Sequence, residues 1–404
     1  GNYDNPYMEI SYDKLGNKEV ERDPNGVETS YTYTVRNWLE KVSVNGQLQT
    51  KYIYDAKGNQ LEIHDALGNV TKKEYDSLGR IRKITQLGKY QNSVVYRYDE
   101  VGNLEAAQDG RSNTTEYTYN RLGWLTKVKD PLGYVTQYFY DANGNQIKLV
   151  TPKNLVFKQS YDELNRLTES IDSLNNSVRY SYDLMGNRAK MLDRRGTVWI
   201  YRYYPNNRLQ RLDLTGADGT GYFLQYEYDA AGNLMKVTDS GNTVNYNYQN
   251  GLYRSDPLNR LNSVERNFDG ATYQTNYQYD QAGLLTKIKY PEATEWINYN
   301  YNDLNQLSEV KDFTAANGIM YNTNGTLQGV TFANGVSVGY SYDNYNRVED
   351  YQVTINGTDI LHQQFTYDGN SNITAIFEGT KMKTYTYDAN NQLIKADTPG
   401  TFLE

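Results

Sequence analysis

Aspartates recur beside glycine or asparagine along the whole chain, and carboxylates at regular spacing could bind calcium or serve a hydrolase. Calcium takes about six to eight oxygen ligands, whereas each repeated turn here supplies one carboxylate. A glycosidase requires only two carboxylates, which the 49 acidic residues could provide. Most of the aspartates nevertheless fall on a fixed turn period, where capping of the turn accounts for them. The pattern therefore predicts structural turns, with no metal site and no catalytic residue.

The composition removes most other kinds of active site. Cysteine is absent, which excludes thiolate nucleophiles, disulfides and cysteine ligands. His64 and His362 lie far apart in the sequence and have the pattern of surface strand residues. The formal charge of −8 disfavours nucleic acid and anionic membranes as partners. No apolar stretch approaches the roughly 18 residues of a spanning helix, so we expect no membrane span. Because thiols are absent and the two histidines are far apart, we also expect no enzyme and no cofactor.

A repeat of about 21 residues organises the 404-residue chain. Its anchor is a tyrosine, commonly followed by aspartate. The anchors are Tyr12, Tyr33, Tyr54, Tyr75, Tyr98, Tyr119, Tyr140, Tyr161, Tyr182, Tyr203, Tyr228, Tyr248, Tyr279, Tyr301, Tyr321, Tyr342, Tyr367 and Tyr387. We expect a single array of about 18 units over residues 1–404, more regular in 1–203, with longer, loop-bearing units at 203–228, 248–279 and 342–367.

Glycine or asparagine stands four residues after nearly every anchor. These two residues most readily accept a positive φ, so a left-handed turn is predicted at each. The predicted turn residues are Gly16, Asn37, Gly58, Gly79, Gly102, Gly123, Gly144, Asn165, Gly186, Asn207, Gly232, Gly283, Asn305, Gly325, Asn346 and Asn391. Leu252 and Ser371 depart from the rule. Arginines that follow several of these turns, such as Arg80 and Arg166, are interspersed with acids and are expected to be solvated.

A second turn lies halfway through each unit, where an aspartate such as Asp65 or Asp130 is followed three residues later by glycine or asparagine. Between the two turns the residues alternate and are rich in Tyr, Val, Thr and Ile, which is typical of strands. The sequence therefore predicts an all-β protein, a run of consecutive antiparallel hairpins without helices of note. About 36 strands at roughly 4.8 Å would span about 170 Å, too far to remain flat, so the sheet should wind or close.

Tyrosines two residues apart point to one face of their strand. We expect successive units to bring their rings into register as a ladder that replaces a solid core, since only 38% of residues are hydrophobic. The ladder residues are Tyr54, Tyr98, Tyr119, Tyr140, Tyr182, Tyr228, Tyr279, Tyr301, Tyr342 and Tyr387. Tyrosines flanked by Asn and Asp are also typical of sugar-binding surfaces. A carbohydrate-binding or adhesion module is thus the alternative, with 216–221 and 255–270 as its candidate loops.

The unit Tyr-x-Tyr-Asp-x-x-Gly, visible at Tyr96–Gly102 and repeated along the chain, resembles the YD (RHS) repeat. The family includes Rhs polymorphic toxins, bacterial wall-associated proteins, the BC shell of insecticidal toxin complexes and the teneurins. The resemblance implies a β-strip spiralling into a hollow shell. It also implies a structural, non-enzymatic role in a larger secreted or cell-surface bacterial protein, whose partners are its own plug and C-terminal cargo.

Toxin members of this family carry an Asp-Pro-x-Gly-Leu sequence for self-cleavage after their repeats. The nearest match here, Asp130-Pro131-Leu132-Gly133-Tyr134, lies within the array at an ordinary second turn. Asp256-Pro257 lacks the glycine. We expect both to be plain turns and expect neither a cargo nor a releasing protease within these 404 residues. The sequence leaves open the identity of the cargo and the number of windings.

Overall fold

The computed structural model describes residues 8–88, 92–248 and 258–398, and in these residues it contains 36 strands and no helix. The first eighteen strands are β1 Glu9–Tyr12, β2 Lys18–Arg22, β3 Glu28–Tyr33, β4 Leu39–Val44, β5 Gln47–Tyr54, β6 Gln60–Asp65, β7 Val70–Tyr75, β8 Ile81–Leu87, β9 Asn92–Tyr98, β10 Leu104–Gln108, β11 Thr114–Tyr119, β12 Leu125–Lys129, β13 Val135–Tyr140, β14 Gln146–Val150, β15 Val156–Tyr161, β16 Leu167–Ile171, β17 Ser177–Tyr182 and β18 Arg188–Leu192. The others are β19 Val198–Tyr203, β20 Leu209–Thr215, β21 Gly221–Tyr228, β22 Leu234–Thr238, β23 Thr243–Asn247, β24 Ser263–Phe268, β25 Ala271–Tyr279, β26 Leu285–Lys289, β27 Ile297–Tyr301, β28 Leu307–Val310, β29 Thr314–Tyr321, β30 Leu327–Phe332, β31 Val336–Tyr342, β32 Val348–Ile355, β33 Thr358–Tyr367, β34 Ile373–Glu378, β35 Lys381–Tyr387 and β36 Leu393–Asp397.

Within each of two ladders, every strand pairs antiparallel with its neighbours in the sequence. The ladder runs unbroken from β1 to β28, and a second ladder runs from β29 to β36. Sequential pairing of this kind places all the odd-to-even connections on one edge of the strip and all the even-to-odd connections on the other. We call these the first-turn edge and the second-turn edge.

The turns of the first-turn edge follow one design, shown by the turn at Asp55. Gly58 N–H donates to the Asp55 carbonyl (3.2 Å) and Asp55 N–H donates to the Asn59 carbonyl (2.9 Å). The Asp55 carboxylate accepts from the N–H groups of Lys57 (2.8 Å) and Asn59 (2.9 Å). Gly58 has φ +93°, the left-handed region that a residue with a Cβ enters at a cost. The carboxylate thus satisfies turn amides that would otherwise have no partner.

The second-turn edge repeats this arrangement. Gly133 N–H donates to the Asp130 carbonyl (2.9 Å), Asp130 N–H donates to the Tyr134 carbonyl (2.9 Å), and Gly133 has φ +86°. The Asp130 carboxylate accepts from the N–H groups of Leu132 (3.0 Å) and Tyr134 (2.8 Å). Asp130 and Pro131 therefore lie in a capped turn of the ordinary kind for this strip.

The longer units correct one expectation. Their additional residues lengthen strands instead of forming loops: β20 and β21 have 7 and 8 residues, and β32 and β33 have 8 and 10. Residues 216–220 form a tight turn in which Gly216 N–H donates to the Thr220 carbonyl (2.8 Å). Residues 249–257 of the unit 248–279, with Leu252 and Asp256-Pro257, lie outside the described residues.

The strip has almost no solid interior. Among the described residues, the buried hydrophobic side chains are Ala106, Leu212, Val264, Ile288 and Ala375, and no side chain is less than 2% exposed. The accessible surface is 25182 Å², whereas a compact monomer of 46.6 kDa would expose about 16,000 Å². Stability must therefore come from strand pairing and from contacts along the sheet.

Candidate functional site

The strip returns to itself. Turns of the second-turn edge between residues 23 and 130 contact turns of the first-turn edge between residues 280 and 391, and we call this contact the seam. Asn25 donates to Asp280 (2.8 Å) and to the Asn305 side chain (2.9 Å), and Asn390 donates to Asp130 (2.7 Å). Partners are separated by about 255–280 positions in sequence. One winding therefore takes about 24 strands, or roughly 115 Å of sheet.

The tightest part of the seam lies between two glycines. A methyl group on Gly110 would overlap the carbonyl oxygen of Gly369, and a methyl group on Gly369 would overlap the carbonyl oxygen of Gly110. Beside them, Asn370 donates to the Asp109 carboxylate (2.5 Å). Only residues without a Cβ allow the two backbones to approach this closely.

Arg111 extends from the same second turn across the seam. Its guanidinium donates to the carbonyls of Asp388 (2.9 Å) and Tyr387 (3.1 Å), and its Nε lies 3.4 Å from the Asp368 carboxylate. The side chain is 26% exposed, so these bonds are shielded from water in part. Arg111 thus joins two first turns of the late units to one second turn of the early units, as only the branched guanidinium can do.

The tyrosine hydroxyls connect successive hairpins. Twelve anchor tyrosines donate to the carbonyl of the residue that begins the strand after the preceding first turn, as Tyr54 does to Leu39 (2.6 Å) and Tyr182 to Leu167 (2.7 Å). The same bond is made by Tyr33, Tyr75, Tyr98, Tyr140, Tyr161, Tyr203, Tyr301, Tyr342, Tyr367 and Tyr387. Tyr119 and Tyr228 are half-buried, and desolvation raises the pKa of both hydroxyls.

The ring contacts differ from the expected ladder. Anchors of successive units lie two strands apart, about 10 Å, which is beyond direct ring contact. In seven units the gap is filled by a tryptophan or an arginine that follows the left-handed turn residue. Trp38 packs on Tyr54 (ring centroids 5.4 Å apart) and Trp124 packs on Tyr140 (5.5 Å). The ladder is therefore interleaved, with a second side chain between tyrosines.

Arginine takes the same intervening position in five other units, which corrects the expectation that these arginines are solvated. The guanidinium of Arg80 lies 4.5 Å from the centre of the Tyr98 ring, and that of Arg347 lies 4.3 Å from Tyr367. The other pairs are Arg166 with Tyr182, Arg208 with Tyr228 and Arg260 with Tyr279. Arg347 is 11% exposed and also forms an ion pair with Asp343 (2.6 Å). At Arg80, Arg166 and Arg347 the cation–π attraction is combined with an ion pair to the turn aspartate.

All sixteen predicted turn residues have positive φ, from +59° at Asn305 and Asn346 to +103° at Gly102. Ser371 also has φ +66°. Where asparagine takes the left-handed position, its side chain can bond to the preceding unit. Asn165 accepts from Asn145 (2.8 Å), and the same bond joins Asn17 to Asn37, Asn187 to Asn207, Asn233 to Asn259 and Asn372 to Asn391. Where Trp38 precedes, the next turn has Gly58, whose Cβ would lie 2.9 Å from the indole.

Hydrogen bonds within the turns lower the pKa of twelve turn aspartates. Hydrogen bonds from the Asn59 side chain and from turn amides lower the pKa of Asp55, and the guanidinium and amide of Arg166 lower the pKa of Asp162. The pKa is lowered in the same way at Asp13, Asp76, Asp99, Asp141, Asp172, Asp183, Asp193, Asp218, Asp229 and Asp239. Their chemistry is that of turn acceptors.

The remaining chemical groups are dispersed. His64 lies 2.9 Å from Glu62, and His362 lies 2.7 Å from Asp350, each within its own sheet region. Within residues 8–88, 92–248 and 258–398, no three acidic or histidine side chains are grouped so that they could hold a metal ion. The same residues contain no helix with the length and apolar character needed to cross a membrane.

Known protein families and individual proteins are similar to parts of this chain. The family model of the Teneurin YD-shell matches residues 4–154, and that of the RHS Repeat matches residues 161–198. Teneurin-1 of Mus musculus is 34% identical over 147 residues, which are 35% of this chain and 5% of that protein. Teneurin-1 of Homo sapiens is 30% identical over the same length. The matches confirm the resemblance to YD-repeat and RHS-repeat proteins.

Solved structures share the fold over nearly the whole chain. The crystal structure of TcdB2-TccC3-Cdc42 matches with a TM-score of 0.75 and 14% identity, over 96% of this chain and 23% of that one. The Photorhabdus luminescens Tc holotoxin pore matches with a TM-score of 0.60 and 15% identity, over 96% and 24%. TcdB2-TccC3 without its hypervariable C-terminal region matches with a TM-score of 0.58 and 15% identity, over 95% and 27%. The chain therefore spans about a twentieth of the curated relatives and about a quarter of the solved chains.

Proposed function

We propose that this chain is a structural, non-enzymatic wall segment of a hollow shell in a larger bacterial polymorphic toxin or cell-surface protein. The wall encloses or displays a cargo carried elsewhere in the parent protein, and that parent is secreted or exposed at the cell surface. The whole of residues 1–404 acts as one repeat array. The observation that carries the proposal is the seam, because a strip that returns to itself separates an inside from an outside.

The surface area supports the same conclusion. The excess of about 9,000 Å² over a compact monomer is what a single-layer wall with two solvated faces would give. If one winding of roughly 115 Å is circular, its diameter is about 37 Å. Side chains occupy part of this width, which leaves space for an extended or unfolded polypeptide.

The test is protection of cargo in the intact parent protein. A protease is added to the parent, and cleavage of its non-repeat segment is compared between the wild type and Gly110→Ala, which separates the seam. The matched control is Gly241→Ala, at a second-turn glycine with open space around its Cα and ordinary φ. Enclosure predicts slow cleavage in the wild type and control, and fast cleavage in Gly110→Ala. Equal cleavage in all three would contradict it.

Glycan binding is a second candidate function, supported by one cleft. Trp38, Tyr52, Glu40 and Lys51 line an open space of about 410 Å³ between two first turns, in a unit where Thr34 replaces the usual aspartate. An indole beside charged and hydroxyl groups is typical of pyranose recognition. Saturable glycan binding that is lost in Trp38→Ala, but kept in the equivalent Trp124→Ala, would establish this function. Equal loss in both variants, or no binding by the wild type, would refute it.

A further inference from the structure

The wall is interrupted between β28 and β29. The ladder of strand pairs that begins at β1 ends at β28, and a separate ladder begins at β29. Among the described strands, β28 pairs with β27 alone and β29 pairs with β30 alone. Cα atoms of β28 and β29 nevertheless approach within 8 Å, so the two strands lie side by side without ladder pairing. We call this boundary between β28 and β29 the joint.

A bulge in β29 accounts for the missing pairs. Residues 315–318 stand opposite the single residue Thr331 of β30. Within this segment Asn317 has φ +51°, and a Cβ on Gly318 would lie 2.5 Å from the Thr331 carbonyl oxygen. Only glycine allows this approach, so the bulge is a fixed feature of the strand. Because a bulge bends its strand and disrupts the ladder locally, β28 has no regular strand beside it to pair with.

The hydroxyl bond between hairpins is also missing at the joint. Tyr301 and Tyr342, the anchors of the units on either side, donate to their preceding hairpins at 2.8 and 2.7 Å. Among the described residues, the hydroxyl of Tyr321 has no hydrogen-bond partner. Tyr119 lacks the bond to its preceding hairpin as well, but its strand β11 pairs with β10. At the joint both the ladder and the hydroxyl bond are absent.

One threonine makes most of the remaining contact. Gln306 occupies the position from which tryptophan or arginine packs on the next anchor in seven units, but its Oε1 accepts from Asn302 in its own turn (2.9 Å). The Thr314 hydroxyl accepts from the Val310 N–H (3.0 Å) and donates to the Val310 carbonyl (3.3 Å). The Phe313 N–H donates to the same carbonyl (3.0 Å). All of these bonds lie at the second-turn end of the joint.

The connection between β28 and β29 has a defined pivot. The Lys311 N–H donates to the Asn298 carbonyl (2.9 Å), so Lys311 is bonded to the first ladder. The Phe313 carbonyl accepts from the Ala333 N–H (3.0 Å), so Phe313 is bonded to the second. Asp312 lies between them, exposed and with φ +70°. Rotation about Asp312 would therefore separate two bodies whose internal bonds stay intact.

The seam holds the two bodies separately. Asn45 donates to the Asp303 carbonyl (2.9 Å) on the β28 side of the joint, and Tyr345 donates to the Gln86 carbonyl (3.3 Å) on the β29 side. The first turn between them, at 322–325, has hydrogen bonds only within its own ladder, as far as the described residues show. The end of the joint away from the pivot therefore meets a stretch of seam without hydrogen bonds.

We propose that the joint is a lateral gate in the wall. The ladder β29–β36 turns about Asp312 as one body, and the wall opens between the first turns 302–306 and 322–326 while the hairpins on both sides stay paired. Opening joins the two faces of the wall at a fixed position, wide enough at the seam for an extended polypeptide. Only the passage of a polypeptide rests on the proposed function, because the opening itself is a property of the strip.

Spin labels on Asp303→Cys with Thr323→Cys test the gate, since these exposed positions lie in the first turns on either side of the joint. The matched control is Glu163→Cys with Leu184→Cys, at the same positions of two turns connected by the paired strands β16 and β17. Both label pairs stand about 10 Å apart in the closed wall, where dipolar coupling broadens the spectrum. In a urea titration, the joint pair should lose its broadening about 1 M below the loss of strand signal in circular dichroism. The control pair should lose it together with the strands, and coincident loss at both pairs would overturn the proposal.

Two substitutions in the joint-labelled chain distinguish the gate from general weakness. Gln306→Arg supplies the side chain that packs on the next anchor elsewhere, and should reduce opening about threefold to tenfold. Thr314→Val removes the hydroxyl that bridges the joint, and should increase opening about threefold to tenfold. The control is Thr126→Val, which loses a hydroxyl bond to the Thr118 carbonyl (3.1 Å) inside the first ladder and should leave opening unchanged. Opening that neither joint variant alters, or that Thr126→Val alters equally, would contradict the gate.

Discussion

Gly110 and Gly369 stand 259 positions apart in the sequence, yet each backbone occupies the space where the other residue's Cβ would lie. Both belong to turns of the sequence Asp-Gly-x-Ser-Asn, at 109–113 and 368–372. In both turns serine takes the left-handed position, with φ +67° at Ser112 and +66° at Ser371. In both turns glycine lies at the tip, where the two windings meet and a Cβ would collide with the other backbone.

Gly110→Ala should separate the seam while leaving the hairpins intact. Its φ is not in the left-handed region, so the cost of about 1–3 kcal/mol is collision with the Gly369 carbonyl and with the amide oxygen of the Asn92 side chain. Amide hydrogen exchange in residues 366–372 and 387–392 should then accelerate by about tenfold to a hundredfold. Gly241→Ala, with no atom within 4 Å of its Cβ, should leave that exchange unchanged. Unchanged exchange in both variants would show that the glycines do not determine the seam.

Gly58→Ala should destabilise the chain more than Gly186→Ala. The two glycines have φ +93° and +88°, so the cost of the left-handed backbone is nearly equal. The new Cβ at residue 58 would lie 2.9 Å from the Trp38 ring, whereas at residue 186 it meets open space. We expect a difference of about 1 kcal/mol or more in the free energy of unfolding, measured in urea. Equal values would indicate that the indole is free to move away.

Asn165 tests the amide bonds between neighbouring turns. Asn165→Gly keeps the left-handed backbone and loses the hydrogen bonds from Asn143 and Asn145, which should cost about 0.5–1.5 kcal/mol. Asn165→Ala loses the same bonds and adds the strain of positive φ, about 1–2 kcal/mol. Urea unfolding should therefore rank the wild type above the glycine variant and the glycine variant above the alanine variant. A glycine variant as stable as the wild type would assign no role to the bonds.

Acid should unfold the chain through its turns. Because the folded state lowers the pKa of Asp55, Asp162 and the equivalent turn aspartates, the unfolded state binds more protons at low pH. This contribution is present above the unfolded pKa of about 3.9 and is lost as the pH falls through the lower folded values. The melting temperature should be nearly constant from pH 7 to about pH 5 and fall steeply below about pH 4. A melting temperature that holds down to pH 3 would contradict this role.

The sequence alone predicts the fold because the residues that form the turns and strands of a repeat unit lie within that unit. The left-handed residue of each turn and the alternation of its strands are local, so Gly58 or Asn165 can be recognised without knowing its neighbours in space. The packing order of the rings was missed because it depends on the distance between alternate strands. The preceding unit alone does not predict which of the two residues takes the left-handed position, since Asn145 precedes Asn165 but Asn59 precedes Gly79.

The seam could not be predicted from the period, since a contact across about 260 residues depends on the accumulated twist and curvature of some 24 strands. The sequence marks the seam only at the two Asp-Gly-x-Ser-Asn turns, which depart from the Asp-x-x-Gly pattern in the same way. Ser371 is an exception to the glycine-or-asparagine rule, but a single exception does not identify its partner.

The central claim is that the strip winds back onto itself, and a distance between spin labels tests it most directly. The chain has no cysteine, so Glu116→Cys with Gln364→Cys, at exposed strand positions on either side of the seam, gives two unique labels. Pulsed electron–electron double resonance should show a narrow distribution of label-to-label distances near 35 Å, because about four residues of strand separate each label from the seam. A strip that does not return would place the labels about 110 Å apart, and a long or very broad distribution would contradict the account.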